Sequence, residues 1–253
     1  MKRNIFSIIF GLFCAFSHYA QTLDTLTICN GDSVLIFNNW EYQTGNYTNG
    51  LDITTLIVNP TPTITGSFIL NGNANQSIPG TYTLTQALNT QSGSAWNSVT
   101  LNLSQPFEID VDMFFGFNNG GADGIAFVLQ QVSTSVGTGG GGMGYQGITP
   151  SFAVEFDTWQ NNNQNDPFYD HLAIQRNGNL FHAGFNNLFG PVGLPPGLSN
   201  IEDGNWHNVI FTWNPASNNF RVRFDGVLIA NYTNNIVASI FGNNPNIYWG
   251  FTA

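Results

Sequence analysis

The chain has 253 residues, only 8% of them charged, and acids outnumber bases fifteen to five, for a formal net charge of −10. Glycine at 28 positions, phenylalanine at 22 and loops rich in asparagine describe an all-β extracellular protein better than a helical cytosolic one. The acidic balance repels nucleic acid and suits the binding of cations. In chain order, the first element is a leader at residues 1–20: Lys2 and Arg3 precede an apolar run from Ile5 to Phe16, and Ala20 is an acceptable cleavage residue for a secretory signal peptide. The run is too short to span a bilayer, and no later stretch is long enough, so no membrane span is expected. Cleavage before Gln21 leaves three basic against fifteen acidic residues, a formal balance of −12. It also removes Cys14 and leaves Cys29 as a single thiol, so stability rests on the core and on metal rather than on an internal disulfide.

Residues 21–65 read as a small β module and linker. Thr25 to Cys29 and Ser33 to Phe37 are short strands around a turn at Asn30-Gly31-Asp32, and Thr54 to Val58 is a third before Asn59-Pro60-Thr61-Pro62. This segment resembles the short β-repeats that serve as spacers in large bacterial surface proteins, and its Pro-Thr alternation suits a stiff linker. From about Gly66 onward the chain is a succession of strands without a helical period. Trp96 to Leu103, Pro106 to Gly116 and Gly124 to Gln130 alternate or run apolar. Val209 to Trp213, Phe220 to Phe224 and Val227 to Tyr232 form a late meander, with a tight hairpin signal at Asp225-Gly226. Turn residues every eight to twelve positions predict two packed antiparallel sheets. The run from Gly137 to Gly144 is a loop; with no following lysine and no helix start, it is not a phosphate cradle.

The stretch from Val154 to Ile174 carries the chemistry. In Val154-Glu155-Phe156-Asp157-Thr158, the period of two sends Glu155 and Asp157 to one face of a strand and Phe156 to the other. Two carboxylates side by side repel unless a cation sits between them. The following loop adds the oxygen donors Asn161 and Asp166, and His171 adds the nitrogen that borderline metals prefer. Each of these residues alone reads as a solvated strand face or a surface side chain; the constellation reads as a metal site.

Gly121-Ala122-Asp123-Gly124-Ile125-Ala126-Phe127-Val128-Leu129, the glycine run, the Val154 to Thr158 strand and the terminal Tyr248-Trp249-Gly250-Phe251-Thr252-Ala253 resemble, in that order, the L-type lectins of the legume-lectin superfamily. The resemblance covers residues 66–253 and implies a concanavalin-like jelly roll that binds glycans through two metal ions. It implies a transition metal, commonly Mn2+, held by Glu155, Asp157, Asp166 and His171, with Ca2+ beside it. The calcium ligands would be Asp157, the Trp159 carbonyl, Asn161 and Asp166, all oxygen donors as that ion requires. It implies a sugar site in which Asn161 donates to a hydroxyl, Asp123 accepts from two, an amide of Gly141, or alternatively Gly142, donates, and Trp159 stacks on the pyranose. Such a mix suits a ligand that presents hydroxyls around small apolar patches. The family also holds the bond matching Ala122-Asp123 in cis. Its members continue past the position of Ala253 with a further loop and a strand containing Trp, so the resemblance implies either that the domain is truncated at its C-terminus or that its closing strand is absent. In the second case an open apolar edge would invite pairing with other chains, as a homo-oligomer or within a larger surface protein.

Two other readings use the same residues. A glycoside hydrolase of this sandwich would place its acids on alternate strand positions. Glu108-Ile109-Asp110-Val111-Asp112 has that pattern, but its acids read as the solvated face of a half-buried strand. In Glu155, Asp157 and Trp159 the acid triplet is incomplete. His182 and His207 have no serine in a nucleophile-elbow context. A calcium-stiffened adhesin module without sugar binding is the third class. Asn46, Asn75, Asn102 and Asn231 begin glycosylation sequons, which a chain this rich in Asn produces by chance. The expectation is a secreted or surface-displayed carbohydrate-binding module, not an enzyme.

Overall fold

The computed structural model describes residues 22–29, 34–59, 65–137, 139, 141–194 and 200–253. The leader expected at 1–20, the turn expected at Asn30-Gly31-Asp32, the linker expected at Pro60-Thr61-Pro62, Gly140 and the Cys29 side chain lie outside the described residues. The chain divides into two compact units, Met1–Pro60 and Thr61–Ala253. In the first, β1 (Leu23–Cys29) runs parallel to β5 (Asp52–Asn59), and β4 (Gly45–Asn49) pairs antiparallel with β5 on its other edge. A hairpin of β2 (Val34–Ile36) and β3 (Asn39–Glu41) stands between them in sequence. Among the described residues of this unit, Ile36 and Leu56 are the buried apolar side chains.

The second unit is a two-sheet antiparallel sandwich, the all-β architecture that the strand pattern predicts. Its larger sheet holds eight strands, built on β6 (Phe68–Gly72), β9 (Gly93–Asn97), β12 (Gly124–Gln130), β13 (Ser151–Asp157), β14 (His171–Arg176), β15 (Asn187–Gly193) and β19 (Asn246–Thr252). They lie in the order β15-β14-β13-β12-β19-β9-β6, with the short β10 (Leu101–Asn102) also on β19. The second sheet runs β11 (Phe107–Phe114), β16 (Trp206–Asn214), β17 (Asn219–Phe224) and β18 (Val227–Thr233). β7 (Asn75–Ile78) and β8 (Thr81–Thr83) form a small hairpin. Among the described residues, helical structure is confined to a 3-10 turn at Asn162–Gln164 and one turn of helix, α1 (Ile236–Ser239).

Alternation explains the layers. On β11, Phe107, Ile109 and Met113 are buried while Asp110 and Asp112 are exposed. On β16, His207, Val209, Phe211 and Trp213 point inward. The apolar ones among these side chains meet Phe127, Leu129, Phe152, Val154, Phe156, Leu172 and Ile174 of the larger sheet in one continuous core. Phe127 and Phe211 stack across the interface with centroids 4.3 Å apart. Each such side chain removed from water contributes about 1.5–3 kcal/mol.

The centre of the larger sheet is covered on its other face too. There Trp96, Ala126, Val128 and Ala153 pack beneath Met143, Tyr145, Ile148 and Leu180, which come from the β12–β13 and β14–β15 connections. Every residue of β13 is therefore buried, although its sequence alternates. That second cover is what takes Glu155 and Asp157 out of solvent.

Candidate functional site

Strand register assembles the site. β12 pairs with β13 so that Gly124 faces Asp157, and β13 pairs with β14 so that Asp157 faces His171. The Ala122-Asp123-Gly124 turn, the end of the Glu155-Phe156-Asp157 strand and the start of β14 thus share one edge of the sheet. Gly124 sits at a positive φ of 130°, and a Cβ there would collide with the Phe156 carbonyl, so this corner admits only glycine. The Ala122-Asp123 peptide is cis, the conformation that the resemblance implies, and the Asp123 carbonyl accepts from Thr158 N at 3.1 Å.

Residues 158–170 close a loop over this edge. The Asp157 carboxylate accepts from Trp159 N at 2.9 Å, and Asp166 Oδ2 accepts from Asn161 N at 2.6 Å. Asn165 takes a left-handed φ of 67°, which returns Asp166 to the strand ends. Asp157, Asp166 and His171 each place one donor atom within 4.8 Å of the others, and so do Glu155, His171 and His182. Glu155 is held from three sides. Tyr145 O–H donates to Oε2, while Gln175 Nε2 at 3.4 Å and His182 Nε2 at 2.5 Å approach Oε1.

The electrostatics are those of a cation site. Burial, with Glu155 and Asp166 close by, pushes the Asp157 carboxyl up to about 8 although Trp159 N opposes the shift. Burial holds His171 down at about 4, with His182 adding repulsion. Burial also opposes charge on His182, but the carboxylates of Asp166 and Glu155 outweigh it and lift that imidazole to about 9. Burial raises Tyr145 well above its ordinary range, and Glu155 adds to the effect. Asp166 Oδ1, His171 Nε2 and His182 Nδ1 are buried atoms with no hydrogen-bond partner. Buried donor atoms without partners are costly unless something occupies the space among them. Three or more carboxylate oxygens with an imidazole suit a divalent ion, and the residues present fit one.

The sequence-predicted residues fall as follows. Glu155, Asp157, Asp166 and His171 come together in the buried cluster. Asn161 and Trp159 join it through backbone N–H groups on the two aspartates, and the Trp159 ring stands 44% exposed beside it. Asp123 is partly buried, and burial together with the Asp166 charge raises its carboxyl pKa. Gly141 is exposed, with its outward direction 3.7 Å from Asp123 Oδ1, and its carbonyl accepts from Gln164 Nε2 at 3.3 Å. Gly142 is buried, and its carbonyl accepts from Tyr145 N and Gln146 N, each at 3.0 Å. The Glu108, Asp110 and Asp112 acids lie on the outer side of β11, where Asn208 Nδ2 donates to Asp110 Oδ1 at 2.6 Å and approaches Asp112 Oδ1 at 3.3 Å. His207 lies between Asp225 and Asp203, its ring nitrogens 2.8 and 3.3 Å from their carboxylates, away from the cluster.

His182 is the member that sequence reasoning missed. It lies eleven positions beyond His171 in the β14–β15 connection. The fold brings it in by tying His182 N to the Gln164 carbonyl at 2.9 Å. A histidine after Leu180-Phe181 carries no metal spacing by itself. The nearest local signal is the Asn177-Gly178 turn, which reverses the chain toward the site, with both residues at positive φ.

The legume lectin beta-barrel domain family matches residues 60–253. The pesticidal crystal protein Cry22Aa of Bacillus thuringiensis is 34% identical over 128 residues, covering 47% of this chain and 17% of that protein. Lectin-4 of Griffonia simplicifolia is 45% identical over 64 residues, 22% of this chain and 26% of that protein. The chain therefore spans little more than a quarter of these curated relatives at most. Among solved structures, basic winged bean lectin with Tn-antigen superposes with a TM-score of 0.58 at 21% identity, covering 74% of this chain and 81% of that one. Lectin I-B4 of Griffonia simplicifolia, solved in a metal-free form, gives 0.58 at 22% identity over 74% and 85%. Lectin I of Ulex europaeus, in complex with the methyl glycoside of α-L-fucose, gives 0.56 at 18% over 75% and 84%. At these identities the structures speak to the fold, while the sequence match spans well over half of the chain; on that ground the chain belongs to the legume lectin, or L-type lectin, family.

Proposed function

We propose that residues 66–253 form a calcium-dependent, non-catalytic carbohydrate-binding module that works outside the cell in glycan recognition or adhesion, carried behind a small β spacer at 21–65. The observation that carries this reading is the placement of Asp123. Its carboxylate meets no hydrogen-bond donor among the described residues, yet it stands against Gly141, near Asp166 of the buried acid cluster. An open carboxylate acceptor is what sugar hydroxyls need, and the exposed Trp159 indole and a backbone amide of the glycine loop complete the proposed pyranose site. Asp123 accepts from two sugar hydroxyls, Gly141 N donates to the sugar, Asn161 donates to another hydroxyl and Trp159 stacks on the ring. Gly141 takes precedence over Gly142, whose surroundings are buried.

Calcium is assigned to Asp157, the Trp159 carbonyl, Asn161 and Asp166, and a transition metal such as manganese to Glu155, Asp157, Asp166 and His171. When bound, these cations would offset the buried carboxylates and stiffen the loop. This chain's own residues do the recognition: Asp157 and Asp166 orient Trp159 and Asn161 through their backbone N–H groups. The net charge of −10 favours neutral glycans over anionic ones. A glycan array probed in calcium and manganese, then in chelator, tests the reading. Retention of defined glycans that chelator abolishes supports it; retention indifferent to chelator, or none at all, refutes it. Release of reducing sugar from a β-glucan would instead favour the glycosidase alternative.

A further inference from the structure

We infer that His182 is a direct ligand of the transition-metal position, so that this centre is built on two imidazoles as well as carboxylates and prefers zinc-class ions to manganese. The inference rests on the proposed metal site and concerns a residue outside the ligand set assigned above. His182, His171 and Glu155 place donor atoms within 4.8 Å of one another, and His171 is shared with the trio that it forms with Asp157 and Asp166. The two trios are therefore one five-residue cluster, and all five side chains are buried.

The His182 ring lies between two carboxylates already assigned to metal. Its Nε2 is 2.5 Å from Glu155 Oε1 and its Nδ1 is 2.9 Å from Asp166 Oδ1. The second contact is at ion-pair distance, and neither Nδ1 nor Asp166 Oδ1 makes a hydrogen bond of full geometry. His171 Nε2, the third orphan of the cluster, is 4.0 Å from Asp157 Oδ2. The two imidazole rings meet edge-on with centroids 4.9 Å apart. His207 hydrogen-bonds through both nitrogens, to Asp203 and Asp225. His182 does so through Nε2 alone and pairs with Asp166 through Nδ1 only as an ion pair, and His171 Nε2 makes no hydrogen bond, so both open nitrogens belong to one cluster.

The ring is also held in place by backbone. His182 N donates to Gln164 O at 2.9 Å, and its carbonyl accepts from Asn187 Nδ2 at 2.8 Å. Zinc–nitrogen bonds are about 2.0–2.1 Å, so two ligands of one ion stand at most about 4.2 Å apart. A trio already within 4.8 Å needs only a small contraction to reach that limit. Carboxylates alone suit manganese, whereas imidazole suits zinc, copper and nickel, and manganese stands lowest in the divalent affinity order. A second imidazole therefore moves the preference away from manganese.

The test uses the full chain, stripped with chelator and loaded with less than one equivalent of Cu2+ as the probe. Pulsed electron paramagnetic resonance counts the coordinating imidazoles. Two are expected in the unaltered chain and one in His182→Gln. In competition between Zn2+ and Mn2+, read by elemental analysis, His182→Gln is expected to lower the zinc preference by about tenfold or more. One imidazole in the unaltered chain overturns this inference and leaves the metal-supported sugar site standing, and that count does not depend on the variant folding. A folded variant with two imidazoles and an unchanged zinc preference overturns it as well. No uptake of Cu2+, Zn2+, Mn2+ or Ca2+ by the unaltered chain overturns both.

Discussion

Replacing Asp123 by asparagine separates a sugar-binding site from a merely metal-stiffened loop. The change keeps the volume of the side chain and turns one carboxylate oxygen into a donor. No donor among the described residues reaches this carboxylate, so its loss breaks no hydrogen bond among them, and it removes a like charge facing Asp166. Folding stability is therefore expected to hold or rise slightly. Binding is another matter. A hydrogen bond to a charged group contributes about 1.5–3 kcal/mol; asparagine loses one such bond and keeps the other only as a weaker neutral one, a cost of about 2–4 kcal/mol. That is roughly thirtyfold to a thousandfold in Kd. Titration calorimetry with a glycan retained on the array measures the loss, with melting temperature and metal content as controls. An affinity within threefold of the unaltered chain, with metals bound, would refute the role given to Asp123. Loss of binding together with a collapse in melting temperature would make the residue structural instead.

Three further outcomes follow from the same geometry. Trp159→Ala should weaken sugar binding about three- to tenfold, the scale of an aromatic contact worth about 0.5–1.5 kcal/mol. Metal content should stay unchanged, because Trp159 is assigned to calcium through its carbonyl; a variant that loses calcium contradicts this. Phe211→Ala, which empties the position stacked on Phe127, should destabilise the domain by about 3–5 kcal/mol. Chemical denaturation reads that loss, and sugar affinity well below the transition should survive. Burial and neighbouring Asp170 raise Glu202 to about 7 from 4.5, and its Oε2 lacks a partner. A carboxyl whose pKa is raised by folding stabilises below its unfolded value and loses that contribution as pH climbs through the folded one. The melting temperature of the metal-loaded chain should therefore fall between about pH 4.5 and 7, and Glu202→Gln should flatten the fall. An unchanged slope in the variant places the titration elsewhere.

What was legible in the sequence is local. The alternation in Phe107 to Met113 and in Phe220 to Phe224 gives strands and their inward faces, and Asp225-Gly226 is a hairpin turn with both residues at positive φ. The segment from Trp96 to Leu103 reads as one strand but breaks into β9 and β10. Asn97 Oδ1 accepts from Val99 N at 2.8 Å, a side-chain turn that competes with the ladder. β4 escapes the pattern because Gly, Asn and Thr fill most of it, and β6 and β15 because their short apolar runs do not alternate and are broken by Asn, Gly and Pro.

The site divides in the same way. Glu155, Asp157, Asn161, Asp166 and His171 lie within seventeen consecutive residues, so their spacing alone suggests a cluster. His182 and Tyr145 reach Glu155 only because two long connections fold over the larger sheet. Glu202 belongs with them. It packs so closely against Gly121 that a Cβ at that position would collide with its carboxylate, although eighty-one positions separate the two in the chain. Contacts of that kind are set by sheet order, in which β19 lies between β12 and β9, and no local period encodes that order.

The central claim is that cations hold the Asp123, Trp159 and Asn161 groups in the arrangement that binds sugar. The most direct measurement titrates one glycan into one preparation three times: as loaded with metal, after removal of metal by chelator, and after calcium and a transition metal are returned. Binding in the first and third titrations and none in the second is the predicted result. Equal binding in all three would contradict it.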